Sequence, residues 1–159
     1  MSRDRHVIGL VSDTHGMVRA SIFAALAGVE CILHAGDVGP DEVLTALATI
    51  APVQAVFGNT DIPGNPRLES SLVLEIGGVT IHVSHGHELG SPTPATLLEA
   101  YPQQVLVYGH THRQLVTEVD GRLVVNPGAA GARRFDLRPT VARLTIEQGV
   151  ARVEVVPLD

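Results

Sequence analysis

Short apolar runs alternate with amphipathic segments in the first third of the chain. A short apolar run between polar residues is typical of a buried strand, and apolar residues three or four apart are typical of a helix. The pattern predicts strands at 7–11, 31–33 and 53–57 and helices at 18–26 and 41–50. This alternation of strand and helix predicts parallel strands joined by right-handed crossovers.

The remainder of the chain favours antiparallel pairing. Glycine-containing turn pairs at 77–78, 120–121 and 148–149 separate apolar runs, which is typical of β-hairpins. The predicted elements here are strands at 72–76, 79–83, 105–108, 115–119, 123–125, 141–147 and 150–156, and one helix at 92–100. We therefore expect a mixed α/β fold that forms a single domain over residues 1–159.

Composition excludes several classes of function. The 159 residues carry 11 basic and 17 acidic side chains, and a net charge of -6 repels nucleic-acid backbones. Every basic residue is arginine, which excludes Schiff-base lysine chemistry and a P-loop. With one cysteine and no long apolar run, the sequence predicts a cytoplasmic protein without a signal peptide or membrane span.

Metal-ligating residue types follow five of the predicted strands. These candidate ligands are Asp13, His15, Asp37, Asn59, His85, His110 and His112. Ligand sites form beyond the carboxyl ends of strands in open α/β sheets, so these side chains can converge on one point. Seven donors without a thiolate suit two ions that share a carboxylate, and they favour Mn²⁺, Fe, Zn²⁺ or Ni²⁺ over Ca²⁺. Taken singly, each motif also fits a helix cap, a turn or a surface loop.

The sequence segments around these residues form an ordered series of motifs. They read SDTHG at 12–16, HAGDV at 34–38, GN at 58–59, SHGH at 84–87, GHTH at 109–112 and NPG at 126–128. The series resembles that of the calcineurin-like metallophosphoesterases and is similar to their small YfcE-like phosphodiesterase branch over nearly the whole chain. The resemblance implies one metallophosphoesterase domain over 1–159, with two mixed β-sheets packed face to face and flanking helices.

The resemblance also implies roles for the histidines and carboxylates. The first metal ion would take Asp13, His15, Asp37 and His112. The second would take Asp37, Asn59, His85 and His110, so that Asp37 bridges the two ions. Of the four remaining histidines, His34 and His87 would orient ligands, His82 would lie within a strand and His6 would lie at the start of the first strand.

The implied activity is metal-dependent hydrolysis of a small phosphodiester. A water or hydroxide between the two ions would attack phosphorus, with Asp37, Asn59 and Asp61 as the candidate catalytic residues. Mn²⁺ is the expected metal, with Ni²⁺, Zn²⁺, Fe and Mg²⁺ as alternatives. No extended nucleic acid and no membrane is expected as a partner, and the resemblance is compatible with a homodimer or tetramer.

Two departures from the family pattern modify this expectation. Thr60 stands where many members carry a histidine that is thought to protonate the leaving group or to help position the water. Without that acid, esters with low-pKa leaving groups should be favoured. Asp61 is a candidate partial substitute for that acid, although a loop carboxylate is the simpler role. Ala129 stands where the small branch often has serine. Arg133 and Arg134 are either a phosphate clamp or solvated loop charges.

Two other functions stay open from the sequence. A eukaryotic retromer subunit resembles the same branch and serves mainly as a binding platform, so the fold alone does not establish catalysis. A metal-dependent phosphomonoesterase is the second alternative, and the missing histidine after Asn59 argues against it. The intact set of seven donors favours metal binding and turnover over the scaffold.

Overall fold

The computed structural model describes residues 5–133 and 136–159, which form two β-sheets and three short α-helices. The strands are β1 (Arg5–Val11), β2 (Cys31–His34), β3 (Val53–Val56), β4 (Leu68–Glu69), β5 (Leu72–Ile76), β6 (Val79–Val83), β7 (Val105–Val107), β8 (Leu115–Val119), β9 (Arg122–Asn126), β10 (Thr140–Glu147) and β11 (Val150–Pro157). The helices are α1 (Ile22–Ala25), α2 (Glu42–Ala48) and α3 (Pro94–Ala100).

Each sheet contains both parallel and antiparallel pairs. The first sheet has the strand order β11-β10-β1-β2-β3-β4, and the second has the order β5-β6-β7-β9-β8. Strands β1, β2 and β3 pair in parallel, while the β5-β6, β8-β9 and β10-β11 pairs are antiparallel. The predicted parallel unit and the three predicted hairpins are therefore confirmed.

The two sheets share one apolar interface. Ile8 and Leu10 from β1 and Leu144 from β10 pack in one buried cluster with Ile81 from β6 and Val105 from β7. Because alternate residues of a strand point to opposite faces, the intervening residues of β1 face the other way. Sheet-against-sheet packing of this kind leaves the outer faces to be covered by helices.

Helices cover the two outer faces. Leu26, which follows α1, and Leu47 of α2 pack against the outer face of the first sheet, and Leu97 of α3 packs against the second. Helix α3 begins where the side chain of Thr93 accepts a hydrogen bond from the Thr96 N–H, with Pro94 at its first position. The arrangement is the predicted sandwich of two mixed sheets between helices.

The local elements differ from the predicted ones in three places. The helix predicted at 18–26 is one turn long, because the N–H groups of Ile22 and Phe23 bond back three residues to Arg19 and Ala20 rather than four. Strand β4 has two residues, which is too short to give a periodic signal. A single 3-10 turn at His87–Leu89 was also not predicted. Within the described ranges, no helix has the length and apolar character needed to cross a bilayer.

Val105 tests how much the shared interface contributes to stability. The V105A substitution should lower the free energy of unfolding by about 2 kcal/mol, because it removes two buried methyl groups and leaves a void. The same substitution at Val73, which is 63% exposed on β5, should cost less than about 1 kcal/mol. Urea unfolding of both variants gives the comparison. Equal losses would contradict the assignment of Val105 to the core.

Candidate metal centre

The seven candidate ligands all follow the carboxyl ends of strands at one edge of the sandwich. Asp13 and His15 follow β1, Asp37 follows β2, and Asn59 follows β3. His85 follows β6 of the second sheet, and His110 and His112 follow β7. The loops are tied to one another by backbone hydrogen bonds, including Asp13 N–H to Gly36 O and Gly109 N–H to His85 O, both 2.9 Å.

Histidine nitrogens surround the two aspartates at short range. Asp13 Oδ1 lies 3.4 Å from His112 Nε2, 3.7 Å from His15 Nε2 and 3.9 Å from His85 Nε2. Asp37 Oδ2 lies 3.2 Å from His85 Nε2 and 3.6 Å from His15 Nε2. The structure therefore brings both carboxylates and three of the histidines into one cluster.

Asn59 connects the remaining histidine to this cluster. Its Oδ1 lies 3.0 Å from His85 Nε2 and 3.1 Å from His110 Nδ1. An amide oxygen between two imidazole nitrogens is a hard donor next to borderline donors, a combination suited to divalent transition metals. All seven predicted ligands thus lie together.

Each buried carboxylate has one oxygen held by the protein and one that faces the histidines. Asp13 Oδ2 accepts hydrogen bonds from Ser12 Oγ at 2.6 Å and from the His110 N–H at 3.1 Å. Asp37 Oδ1 accepts one from the Thr60 N–H at 2.9 Å. Asp13 Oδ1 is buried and accepts no hydrogen bond from any residue that the structure describes. A buried carboxylate oxygen without a donor is costly, and a cation is the partner that its position fits.

The orientation of His85 also suits a metal ligand. Its Nδ1 lies 2.8 Å from the carbonyl oxygen of Ala35, which can only accept, so Nδ1 carries the proton and donates. Nε2 then faces Asp37 and Asn59 with the ring held in place. A backbone carbonyl that fixes the tautomer in this way is typical of metal-binding histidines.

The carboxylates and imidazoles of the cluster shift one another's pKa values. Burial alone would raise the pKa of Asp13, but the His112 and His15 rings beside it hold that pKa well below its ordinary value. Burial would also raise the pKa of Asp37, yet His85 and the Thr60 N–H lower it to about 2. Burial would lower the pKa of His85, and the neighbouring Asp37 and Asp13 raise it instead. Both carboxylates are therefore ionised at neutral pH and can act as anionic ligands.

Five of the seven candidate ligands have a left-handed backbone conformation. The φ angles are 54° at Asp13, 47° at His15, 55° at Asp37, 73° at His110 and 65° at His112. Among the described residues that are not glycine, only two others have positive φ, and both lie in hairpin turns. Left-handed conformations are uncommon outside glycine and cluster at functional sites.

Two glycines allow the loops to approach closely. A Cβ atom on Gly109 would overlap Ser12 Oγ, and one on Gly58 would overlap Asp37 Oδ1. Any larger residue at these positions would push apart the loops that carry the aspartates.

Two triads have ligand atoms within reach of a single ion. They are Asp13, His15 and His112, and Asp13, Asp37 and His85. Asp13 is common to both triads, whereas the resemblance assigns the bridging role to Asp37. The division of the ligands between two ions and the bridge at Asp37 stay predictions.

Most of the chain matches the model of a known protein family. The model described as the calcineurin-like phosphoesterase superfamily domain matches residues 7–149. The chain belongs to the calcineurin-like phosphoesterase family. The family predicted from the motif series is therefore confirmed.

The chain is also similar to individual proteins of other organisms. It is 34% identical over 159 residues to a probable metallophosphoesterase of Methanothermobacter thermautotrophicus, with 87% of this chain and 80% of that protein covered. It is 30% identical over 139 residues to a protein of Methanocaldococcus jannaschii named as a phosphodiesterase, with coverage of 76% and 82%. In fold it resembles vacuolar protein sorting 29 of Cryptosporidium parvum, with a TM-score of 0.81, 23% identity and 98% of each chain covered.

Backbone amides surround the carboxylate of Asp61. Its carboxylate is buried and accepts hydrogen bonds from the backbone N–H groups of Val38, Gly39 and Gly58. These contacts favour the loop-carboxylate role over the role of leaving-group acid. Thr60 is exposed, and its backbone N–H is the group that contacts Asp37.

The remaining candidate residues lie beside the candidate metal centre or away from it. His87 lies beside the site, with its ring centroid 5.3 Å from that of His85. His82 stacks on Tyr101, which places it on the outer face of the second sheet. Arg133 is exposed, and Arg134 lies outside the described residues.

His34 supports two of the ligand loops from within the protein. The Gly36 N–H donates to His34 Nδ1 at 3.1 Å, so Nε2 carries the proton and donates to Thr14 Oγ1 at 3.0 Å. Thr14 Oγ1 in turn donates to Val38 O at 2.8 Å. Complete burial lowers the pKa of His34 to about 4, which keeps this network neutral. The predicted orienting role has a physical basis in these contacts.

His34 should make the stability of the metal-free protein depend on pH. Its pKa is lower in the folded than in the unfolded chain, so stability is present above the ordinary pKa of about 6.5 and is lost as pH falls towards 4. We expect this group to contribute a loss of about 2 kcal/mol between pH 7.5 and pH 5. The H34N variant should lack this contribution, as measured by urea unfolding at both pH values. A difference between wild type and variant that does not change with pH would contradict the prediction.

Proposed function

We propose that this phosphoesterase hydrolyses small phosphodiesters with the help of two divalent metal ions. The observation that carries the proposal is the convergence of the seven candidate ligands at one edge of the sandwich, where a buried oxygen of Asp13 faces histidine nitrogens and accepts no hydrogen bond from the described residues. One ion would be held by Asp13, His15, Asp37 and His112, and the other by Asp37, Asn59, His85 and His110. When bound, such ions lower the pKa of water and offset the negative charge of a phosphate group.

The donor set narrows the choice of metal. Imidazole, carboxylate and amide donors without thiolate suit Mn²⁺, Fe, Zn²⁺ or Ni²⁺. We propose Mn²⁺ as the working metal because carboxylate and amide oxygens make up three of the seven donors and suit it well.

Hydrogen bonds within the protein orient the carboxylates of Asp13 and Asp37. Ser12 Oγ and the His110 N–H hold Asp13 Oδ2, which leaves Oδ1 directed towards His112 and His15. The Thr60 N–H does the same for Asp37. Fixed dipoles and charges of this kind need no reorganisation when the charge of the substrate changes.

The chemistry of the site favours diesters with good leaving groups. A phosphodiester carries one negative charge, whereas a monoester carries up to two. Position 60 holds a threonine, whose hydroxyl group is too weak an acid to protonate a poor leaving group. General acid catalysis contributes roughly 10²–10⁴-fold, so its loss restricts the site to esters of acidic alcohols. A relative named as a phosphodiesterase supports this substrate class.

Metal-restored hydrolysis of bis-p-nitrophenyl phosphate tests the proposal. The protein stripped of metal should be inactive, and Mn²⁺ should restore turnover that exceeds turnover of p-nitrophenyl phosphate at least tenfold. Ni²⁺, Zn²⁺ and Mg²⁺ are compared in the same assay. Two bound ions without hydrolysis of either ester would favour a scaffold instead, and a preference for the monoester would favour a phosphomonoesterase.

Substitution of His85 separates the site from the rest of the fold. The H85A variant should lose at least about 100-fold in kcat/KM, because it removes a group that touches both Asp37 and Asn59. The matched control is H6A, at a histidine paired with Glu30 at the far end of β1. Full activity in H85A, or equal losses in both variants, would contradict the proposed site.

Thr60 offers a gain-of-function test. The T60H variant should widen the range of substrates towards diesters with less acidic leaving groups, since the new imidazole can supply a proton. Rates for a series of phenyl phosphodiesters should then depend less steeply on leaving-group pKa than in wild type. An unchanged slope would show that position 60 does not face the leaving group.

A further inference from the structure

Asp61 is a buried carboxylate whose two oxygens both point at backbone amides. Oδ2 accepts hydrogen bonds from the Gly58 N–H at 2.8 Å and the Val38 N–H at 3.1 Å, and Oδ1 accepts one from the Gly39 N–H at 3.0 Å. The residue is only 8% exposed. Hydrogen bonds to an ionised acceptor are roughly twice as strong as neutral ones, so this contact is among the strongest between loops at this edge.

The three amides belong to two different ligand loops. Val38 and Gly39 directly follow Asp37, and Gly58 directly precedes Asn59. The backbone is left-handed at Asp37 and at Gly39, with φ of 55° and 94°. Successive N–H groups in such a turn converge and form a concavity that binds an anion. Asp61 supplies that anion from the neighbouring loop.

A second contact runs in the opposite direction between the same loops. The Thr60 N–H donates to Asp37 Oδ1, so the 37–39 loop supplies a carboxylate to the 58–61 loop and receives one from it. Gly58 lies so close to Asp37 that a Cβ atom would overlap its carboxylate. The two carboxylates therefore join the loop that carries Asp37 to the loop that carries Asn59.

From this geometry, and on the basis of the proposed function, we propose that Asp61 is a positioning residue that sets the spacing of Asp37 and Asn59 before any metal ion binds. It acts through the backbone and does not touch the reacting atoms. Removal of its charge leaves two loops that can separate, so ions that need donors from both loops bind more weakly. A leaving-group acid would behave differently, because its removal lowers the rate even when all metal sites are filled.

The D61N variant tests this role because it keeps the size of the side chain and removes one acceptor. The asparagine NH₂ group cannot accept from an amide, so at least one of the three N–H groups loses its partner. D120N is the matched control, at an aspartate in the β8-β9 turn far from the ligand loops. Both variants are compared with wild type in thermal unfolding, in calorimetric Mn²⁺ titration and in bis-p-nitrophenyl phosphate hydrolysis.

We expect D61N to bind Mn²⁺ at least tenfold more weakly than wild type and D120N, in line with the effect of residues that orient metal ligands. The Mn²⁺ concentration for half-maximal activity should rise equally, while kcat at saturating Mn²⁺ stays within about threefold. A lower melting temperature with unchanged Mn²⁺ affinity would overturn the proposal, and so would a loss confined to kcat. Wild type that binds no Mn²⁺ would overturn the proposed function itself.

Amide exchange provides a measurement that does not depend on the variant folding. In metal-free wild type, the amide protons of Val38, Gly39 and Gly58 should exchange with D₂O at least 100-fold more slowly than in an unstructured peptide, because Asp61 holds them without a metal ion. Exchange of all three at the unprotected rate would overturn the proposal.

Discussion

The burial of two negative charges next to each other is the constraint on which this site depends. Asp13 and Asp37 are almost inaccessible to solvent, and each would lose the hydration that stabilises its charge. The protein compensates one oxygen of each with hydrogen bonds from Ser12 Oγ or a backbone N–H, and it turns the other oxygen towards histidines. Divalent cations would neutralise the charge that remains, so the same arrangement explains both the low pKa values of the carboxyl groups and the fit of the candidate site to metal ions.

The sandwich provides the rigidity that this arrangement needs. Five of the candidate ligands have left-handed backbone conformations, which cost roughly 1–3 kcal/mol each and persist only where the surroundings determine them. Strands β1, β2, β6 and β7 end at the same edge and enter the loops from a densely packed apolar interface. Backbone bonds and the reciprocal contacts of Asp37 and Asp61 then join the loops that carry the candidate ligands. Strain in the loops is thus offset by packing elsewhere.

The fold by itself does not distinguish an enzyme from a binding platform. A protein named for vacuolar sorting has the same fold at 23% identity, which shows only that two sheets can be arranged in this way. Function is indicated by the donor side chains themselves and by the hydrogen bonds that orient them. In this chain each carboxylate, His85 and His34 has a hydrogen-bond partner that fixes its orientation, and Asn59 lies between two imidazoles.

The sequence alone determined the family, the two-sheet sandwich and the set of residues that converge. The candidate ligands lie in loops that follow apolar strands. This pattern is local in the chain, so it can be recognised before any contact between distant residues is known. It did not reveal the one-turn length of α1, the two-residue β4 or the loop-joining contacts of Asp61. The short α1 follows from three-residue backbone hydrogen bonds, and β4 is too short for a periodic signal. The Asp61 contacts depend on which backbone amides come within about 3 Å of its side chain, a distance set by packing. Only the tertiary structure decided that Asp61 accepts hydrogen bonds from amides of the 37–39 loop, because those amides lie more than twenty residues away along the chain.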